Sequence, residues 1–163
     1  MKNLLIIYHT TTGGSLQMAR SALEGARLEP EVSSSLIHAS NAHPRDLLRA
    51  DGYLFVMPEN LGSMSGMMKD FFDRCYYPLL EKIHAKPYAL LVCAGSDGQG
   101  AVRQAERILT GWRLKAVMPA RIVLTHAQSP QRILSPKRIS DTDLNSCHET
   151  GLTLATGIAA SIY

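Results

Sequence analysis

The chain is short of cysteine, of aromatic side chains and of long apolar runs, and each shortage removes a class of protein. Cys75, Cys93 and Cys147 are its only cysteines and lie far apart. They make neither a disulfide framework nor a C-x-x-C metal or redox motif. Such usage fits a reducing compartment, and a cytoplasmic protein is expected. No apolar run approaches the roughly 18 residues of a membrane span. The first residues hold one lysine and then a short strand-like run without a small-residue cleavage site, so no secretory signal is expected. The histidines (His9, His38, His43, His84, His126 and His148) are scattered without metal-ligand spacing. Aromatics are only 6% of the chain. No recognition motif or aromatic interleaving accompanies the basic residues, which argues against nucleic acid.

What remains is a chain of 163 residues, 45% hydrophobic and 19% charged. That is expected to fold as a single domain over 1–163 with a sizeable core. The net charge of +3 is uneven: residues 1–80 hold 7 basic and 8 acidic side chains, residues 81–163 hold 10 and 6. Within 101–140, Arg103, Arg107, Arg113, Lys115, Arg121, Arg132, Lys137 and Arg138 face Glu106 alone. This excess would attract a phosphorylated ligand or an acidic partner, although a solvated helix face with a basic loop also accounts for it.

Strand-like runs at 3–8, 32–38, 52–57, 87–93 and 117–124 alternate with helical patterns at 15–27, 44–50, 65–82, 99–112 and 141–162. Met67 and Met68 read as core filler in the third helix. The segment 126–140, with Ser129-Pro130 and Ser135-Pro136, reads as a surface loop. Five β–α units in succession predict a three-layer α/β domain. Sheet order 2-1-3-4-5 would put ligand loops at the carboxyl ends of the strands.

Three segments look like such loops. The first, Thr10-Thr11-Thr12-Gly13-Gly14-Ser15, lies between an apolar strand and a helix. Unpaired N–H groups at a helix start, the helix dipole and hydroxyl donors suit an anion, and the glycines let backbone approach it. No Lys or Arg lies in this loop. It fits neither the Walker loop nor the dinucleotide fingerprint G-x-G-x-x-G. The second, Pro58-Glu59-Asn60-Leu61-Gly62-Ser63-Met64-Ser65-Gly66, follows the third strand. Pro58 is expected to end that strand, and Gly66 to let the next helix pack closely. The third, Cys93-Ala94-Gly95-Ser96-Asp97-Gly98-Gln99-Gly100, is glycine-rich and opens a helix, with Ser96 or Asp97 as the expected N-cap.

The spacing Thr10-x-Thr12-Gly13-x-Ser15 resembles the phosphate loop of the flavodoxin family. The string P-x-x-x-G-x-x-S-G-x-x-K-x-F-x-D-R over 58–74 is similar to flavodoxin-like NAD(P)H:quinone oxidoreductases and NADPH-dependent FMN reductases. Cys147-His148-Glu149-x-Gly151-x-x-Leu154-Ala155 resembles the last helix of the same superfamily. The resemblance implies a flavodoxin-like three-layer sandwich with a five-stranded parallel sheet of order 2-1-3-4-5, and FMN as cofactor. Thr10, Thr11, Thr12, Gly13, Gly14 and Ser15 would take the phosphate. Pro58, Glu59, Asn60, Leu61, Gly62, Ser63 and Met64 would line one ring edge and face, and Gly95, Ser96, Asp97, Gly98 and Gly100 the other. No amino-acid nucleophile or general base is implied.

The chain departs from electron-carrier flavodoxins in two ways. Neither ring loop contains Trp, Tyr or Phe, leaving Leu61 and Met64 as the bulky candidates, and the charge is mildly basic. Both favour an enzyme that takes hydride from NAD(P)H and passes electrons to a quinone, flavin or other small acceptor, with the 126–140 loop touching the nucleotide phosphates. A short-chain flavodoxin serving a redox protein partner is the alternative, as is a flavin-binding protein without redox function. The reductase reading carries an expectation of homodimers or homotetramers. A receiver domain is disfavoured because strand 52–57 ends in Met57-Pro58 rather than Asp.

Overall fold

A computed structural model describes residues 1–163. The sheet is built around β1 (Lys2–Tyr8), whose Leu4 to Ile7 are buried on both faces. It pairs in parallel with β2 (Val32–His38) on one side and β3 (Gly52–Asn60) on the other. β5 (Pro87–Ala94) continues beyond β3, and every residue of it is buried. Continuous apolar strands of this kind need cover on both faces. One face carries α2 (Pro44–Arg49), α3 (Gly66–Leu79) and α4 (Gln99–Gly111), packed through Phe55, Phe71, Phe72 and Trp112. The other carries α1 (Gly14–Ala26) and α6 (Asp141–Ala159), packed through Leu4, Ile6, Met18, Leu154 and Ile158. No helix is long and apolar enough to cross a membrane.

The main strands follow the expected 2-1-3-4-5 order, but the sheet counts seven strands. One addition is the two-residue β4 (Ser63–Met64), folded back antiparallel on the end of β3. The other is a break in the fifth strand, which is not continuous over 117–124. It forms β6 (Lys115–Ala116) and β7 (Arg121–Leu124), both parallel to β5. Ala116 pairs with Tyr88 and Arg121 with Leu91, so the edge chain takes five steps where β5 takes three. Pro119 lies in the excess; it has no N–H to give a ladder, and such residues collect at edge bulges.

Two further expectations change. Residues 126–140 contain a short helix, α5 (Pro130–Leu134), with Pro130 in its first turn and Ser129 Oγ accepting from Arg132 N at 3.3 Å. Met67 is 38% exposed while Met68 is fully buried. One residue is 100° of helix rotation, enough to carry a side chain out of the core.

The closest helix contact joins α1 to α6. A Cβ on Gly25 would overlap the His148 carbonyl, and a Cβ on Gly151 would overlap the Ala22 carbonyl. The two backbones therefore meet through reciprocal glycines, which seats α1 firmly beneath its own N-terminal loop.

Candidate functional site

Loops after β1, β3 and β5 converge at the carboxyl end of the sheet around a cleft of about 350 Å³. Thr11 and Thr12 come from the first loop; Pro58, Glu59, Asn60 and Leu61 from the second; Cys93, Ala94 and Gly95 from the end of β5. A fourth wall is made by Thr125 and by Ala127, Ile133 and Lys137 of the 126–140 loop, none of them among the expected flavin-contact residues. No aromatic side chain lines the cleft.

In the first loop, Thr10 Oγ1 accepts from Gly13 N at 3.0 Å, closing the turn. Gly13 has φ +92°, and no side chain caps α1. The N–H groups of Gly14, Ser15 and Leu16 thus begin the helix without intrahelical partners. A Cβ on Gly14 would come within 2.7 Å of Cys93 Sγ. Ser15 is fully buried, and its Oγ is one of two buried hydroxyls without a partner, the other being Ser34 in β2. The Cys93 thiol adjoins Ser15 Oγ, but the pair falls short of hydrogen-bond geometry. An uncapped, glycine-lined helix head with a spare buried hydroxyl suits a phosphate.

The second loop is a hairpin. β3 runs through Pro58 to Asn60 rather than ending at 57. Pairing with β1 stops at Tyr8–Val56, so the missing proline N–H costs no rung there. Leu61 and Gly62 form the tip with φ +53° and +71°, the mirror-image turn that suits strand twist. Leu61 is fully solvent-exposed there. Ser63 is half-buried, outside the cleft lining. Met64 is no cover for a ring: it is buried in the core, and its N–H donates to Gln104 Oε1 at 2.9 Å. Gly66 serves no close packing, since open space surrounds it.

The third loop holds Gly95 at the cleft, while Ser96 and Asp97 are exposed and away from it. Neither caps α4. Gly98, with φ +85°, occupies the N-cap position. The cap is Glu59: its Oε1 accepts from Gly98 N at 2.9 Å and its Oε2 from Ala101 N at 3.2 Å. A Cβ on Gly100 would overlap the Gly62 carbonyl, so the second and third loops are in backbone contact.

The titratable groups nearby are subdued. Burial, aided by His38, holds the His9 imidazole below its usual pKa, and its Nδ1 bonds Ser65 Oγ at 2.8 Å. Burial pushes the Cys93 thiol up to about 11, against a smaller opposing pull from Lys137 and Ser15. Lys137 Nζ donates to the carbonyls of Arg132, Ile133 and Ser135 at 2.7, 2.9 and 2.6 Å, so it closes α5 rather than projecting toward a nucleotide phosphate. Arg132 and Arg138 are exposed and unpaired. No three His, Cys, Asp or Glu side chains converge on a metal-sized point.

A doubly covered parallel sheet whose C-terminal loops surround a cleft beneath an uncapped helix head is the architecture of a flavodoxin-like flavoprotein. The NADPH-dependent FMN reductase family matches residues 12–129, and the chain belongs to it. It is 36% identical over 110 residues to a flavodoxin of Aquifex aeolicus, covering 68% of this chain and 60% of that protein. It is 33% identical over 94 residues to an NAD(P)H dehydrogenase (quinone) of Acidithiobacillus ferrooxidans, covering 45% of this chain and 47% of the other. The aligned stretch thus spans less than two thirds of either relative. In fold it is similar to an archaeal flavodoxin (TM-score 0.76, 18% identity, 96% of this chain and 98% of that one). It is also similar to a WrbA-like flavodoxin from Agrobacterium tumefaciens (TM-score 0.78, 18% identity, 98% and 99%).

Proposed function

We propose that this chain, as one domain over 1–163, is an FMN-dependent oxidoreductase that takes electrons from NAD(P)H and passes them to a quinone, a flavin or another small acceptor. The observation that carries this reading is the cleft lining, which is drawn from three loops and the fourth wall without an aromatic side chain. A ring face left uncovered admits a nicotinamide or a small acceptor in turn, and hydride transfer requires chiefly that stacking.

Thr10, Thr11, Thr12, Gly13, Gly14 and Ser15 hold the phosphate, through hydroxyls and the free N–H groups of α1. The helix dipole supplies the positive potential that the loop's side chains lack. The hairpin from Pro58 to Met64 forms one side of the ring site, with Leu61 at its rim and Met64 supporting it from the core. Gly95 approaches on the other side; Ser96, Asp97, Gly98 and Gly100 shape the loop behind it. Glu59 fixes those two sides to each other, and both its oxygens are occupied in doing so. FMN, when bound, supplies the redox chemistry itself; the chain binds, orients and limits access. A cytoplasmic setting and assembly as homodimers or homotetramers accompany this reading.

The test is anaerobic. The protein is loaded with FMN, NADH or NADPH is added, and the flavin absorbance is followed. Prompt bleaching, reversed by a quinone or free flavin, is expected. No bleaching by either nucleotide overturns the reading in favour of electron carriage between proteins. That second reading is favoured by the 36% identity to a protein named as a flavodoxin.

A further inference from the structure

The fourth wall of the cleft has little to hold it. α5 spans five residues, none of them buried, and a helix that short has no stability of its own. Yet Ile133 of α5 lines the cleft. Its position comes from a chain of contacts that begins in α1.

Gln17 lies one turn into α1, and its side-chain amide makes three hydrogen bonds. Nε2 donates to Gly13 O at 2.9 Å and to Lys137 O at 2.7 Å. Oε1 accepts from Ile139 N at 3.1 Å. One backbone bond, Lys137 N to Thr12 O at 2.8 Å, runs alongside. The two segments lie side by side: a Cβ on Gly14 would make ordinary contact with Lys137 Cβ at 3.5 Å and Ile139 Cδ1 at 3.4 Å. Ile139 is buried in the core between sheet, α1 and α6. On the other side of Lys137, its ammonium gathers the carbonyls of Arg132, Ile133 and Ser135.

We propose that Gln17 is a positioning residue that ties the phosphate loop to residues 137–139, and through Lys137 sets α5 and Ile133 as the wall over the ring end of the cleft. The inference rests on the flavin reading above. Gln17 touches neither the cleft nor a reacting atom; it acts through the wall. With the amide gone, one backbone bond joins the two segments, and Lys137 O and Ile139 N lose their partner, while Gly13 O keeps the Gln17 backbone N–H at 3.2 Å.

Gln17→Leu keeps a side chain of similar bulk and removes all three bonds. Amide hydrogen exchange in the flavin-free protein should speed up at Ile139 by about tenfold or more. FMN and riboflavin titrations should both weaken, by about tenfold. Riboflavin is the discriminating probe, because it lacks the phosphate. An equal loss for the two ligands marks a wall effect. A loss confined to FMN would mean that Gln17 serves the phosphate loop alone, and would overturn the proposal. Unchanged exchange at Ile139 with unchanged affinities would overturn it equally. Should Gln17→Leu fail to fold, Gln17→Glu keeps the acceptor facing Ile139 N and loses both donors. Riboflavin affinity must then fall although Ile139 stays protected, and retained riboflavin affinity refutes the wall role. Wild-type protein that binds neither ligand would sink the flavin reading, while the exchange rates would still decide whether Gln17 is the tie.

Discussion

Glu59 Oε1 accepts a hydrogen bond from Gly98 N at 2.9 Å, so a side chain on the loop after β3 caps the helix that opens from the loop after β5. Its second oxygen holds Ala101 N. Glu59→Ala should cost about 1–2 kcal/mol of stability, the usual scale for a lost N-cap. Flavin affinity should fall with it, because both loops loosen. Urea melts and FMN titrations check this, and Glu59→Gln, which keeps one acceptor, should recover part of both losses.

Ser15 makes a prediction of the opposite kind. Its buried Oγ has no partner in the protein alone, so Ser15→Ala removes an unsatisfied group rather than a bond. The flavin-free variant should be as stable as the wild type or slightly more so. FMN should bind it less tightly by about tenfold to a hundredfold, the worth of one hydrogen bond to a charged group, while riboflavin is unaffected. Parallel thermal melts and titrations read both arms.

Glycines can be sorted by the space around them. Gly151→Ala places a methyl into the Ala22 carbonyl and should cost about 1–3 kcal/mol. Gly66→Ala, at a helix start with nothing within 4 Å, should be neutral or mildly stabilising. Equal urea midpoints for the two variants would contradict the observed crossing of α1 and α6.

The thiols predict an alkaline limit. Burial raises Cys75 and Cys93 to about 11 and Cys147 to about 12, from an ordinary value of 9.0. The folded chain therefore holds these protons where the unfolded chain has lost them. That stability is complete below pH 9 and falls as pH climbs from 9 toward 11. Urea midpoints should decline over that window, and Cys93→Ala should make the decline shallower. The same burial predicts that Cys93 resists iodoacetamide at pH 7.5 until the protein is unfolded.

Much of this architecture is legible in the chain because it is local. The apolar runs that became β1, β3 and β5 are continuous, and the helical stripes were long enough to repeat. Misreadings fell where the determinant is one residue or is distant. Pro119 divides an otherwise apolar fifth strand, and the short span of α5 gives no periodicity to read. Met67 and Met68 differ by one step around a helix, beyond the resolution of a stripe. That the loops after β1, β3 and β5 meet at one end of the sheet follows from the predicted strand order, and they do surround one cleft. Their mutual ties do not follow from it: Glu59 meets Gly98 across 39 residues and Gln17 meets Ile139 across 122, and no spacing rule announces such pairs. A fourth loop at the same end of the sheet was the available clue to the wall at Ile133.

The reciprocal glycines of α1 and α6 have a mechanical meaning. Where Gly25 and Gly151 sit, backbone lies against backbone, and no side chain at that crossing can change rotamer to let one helix slide or roll over the other. The head of α1 is thus a fixed post, and whatever it grips is held in the frame of the sheet. The hairpin and α5 have no such backbone seam with a neighbouring helix; they are held by side-chain ties, Glu59 for the one and Gln17 and Lys137 for the other. The molecule is in this way an anvil with fittings lashed to it.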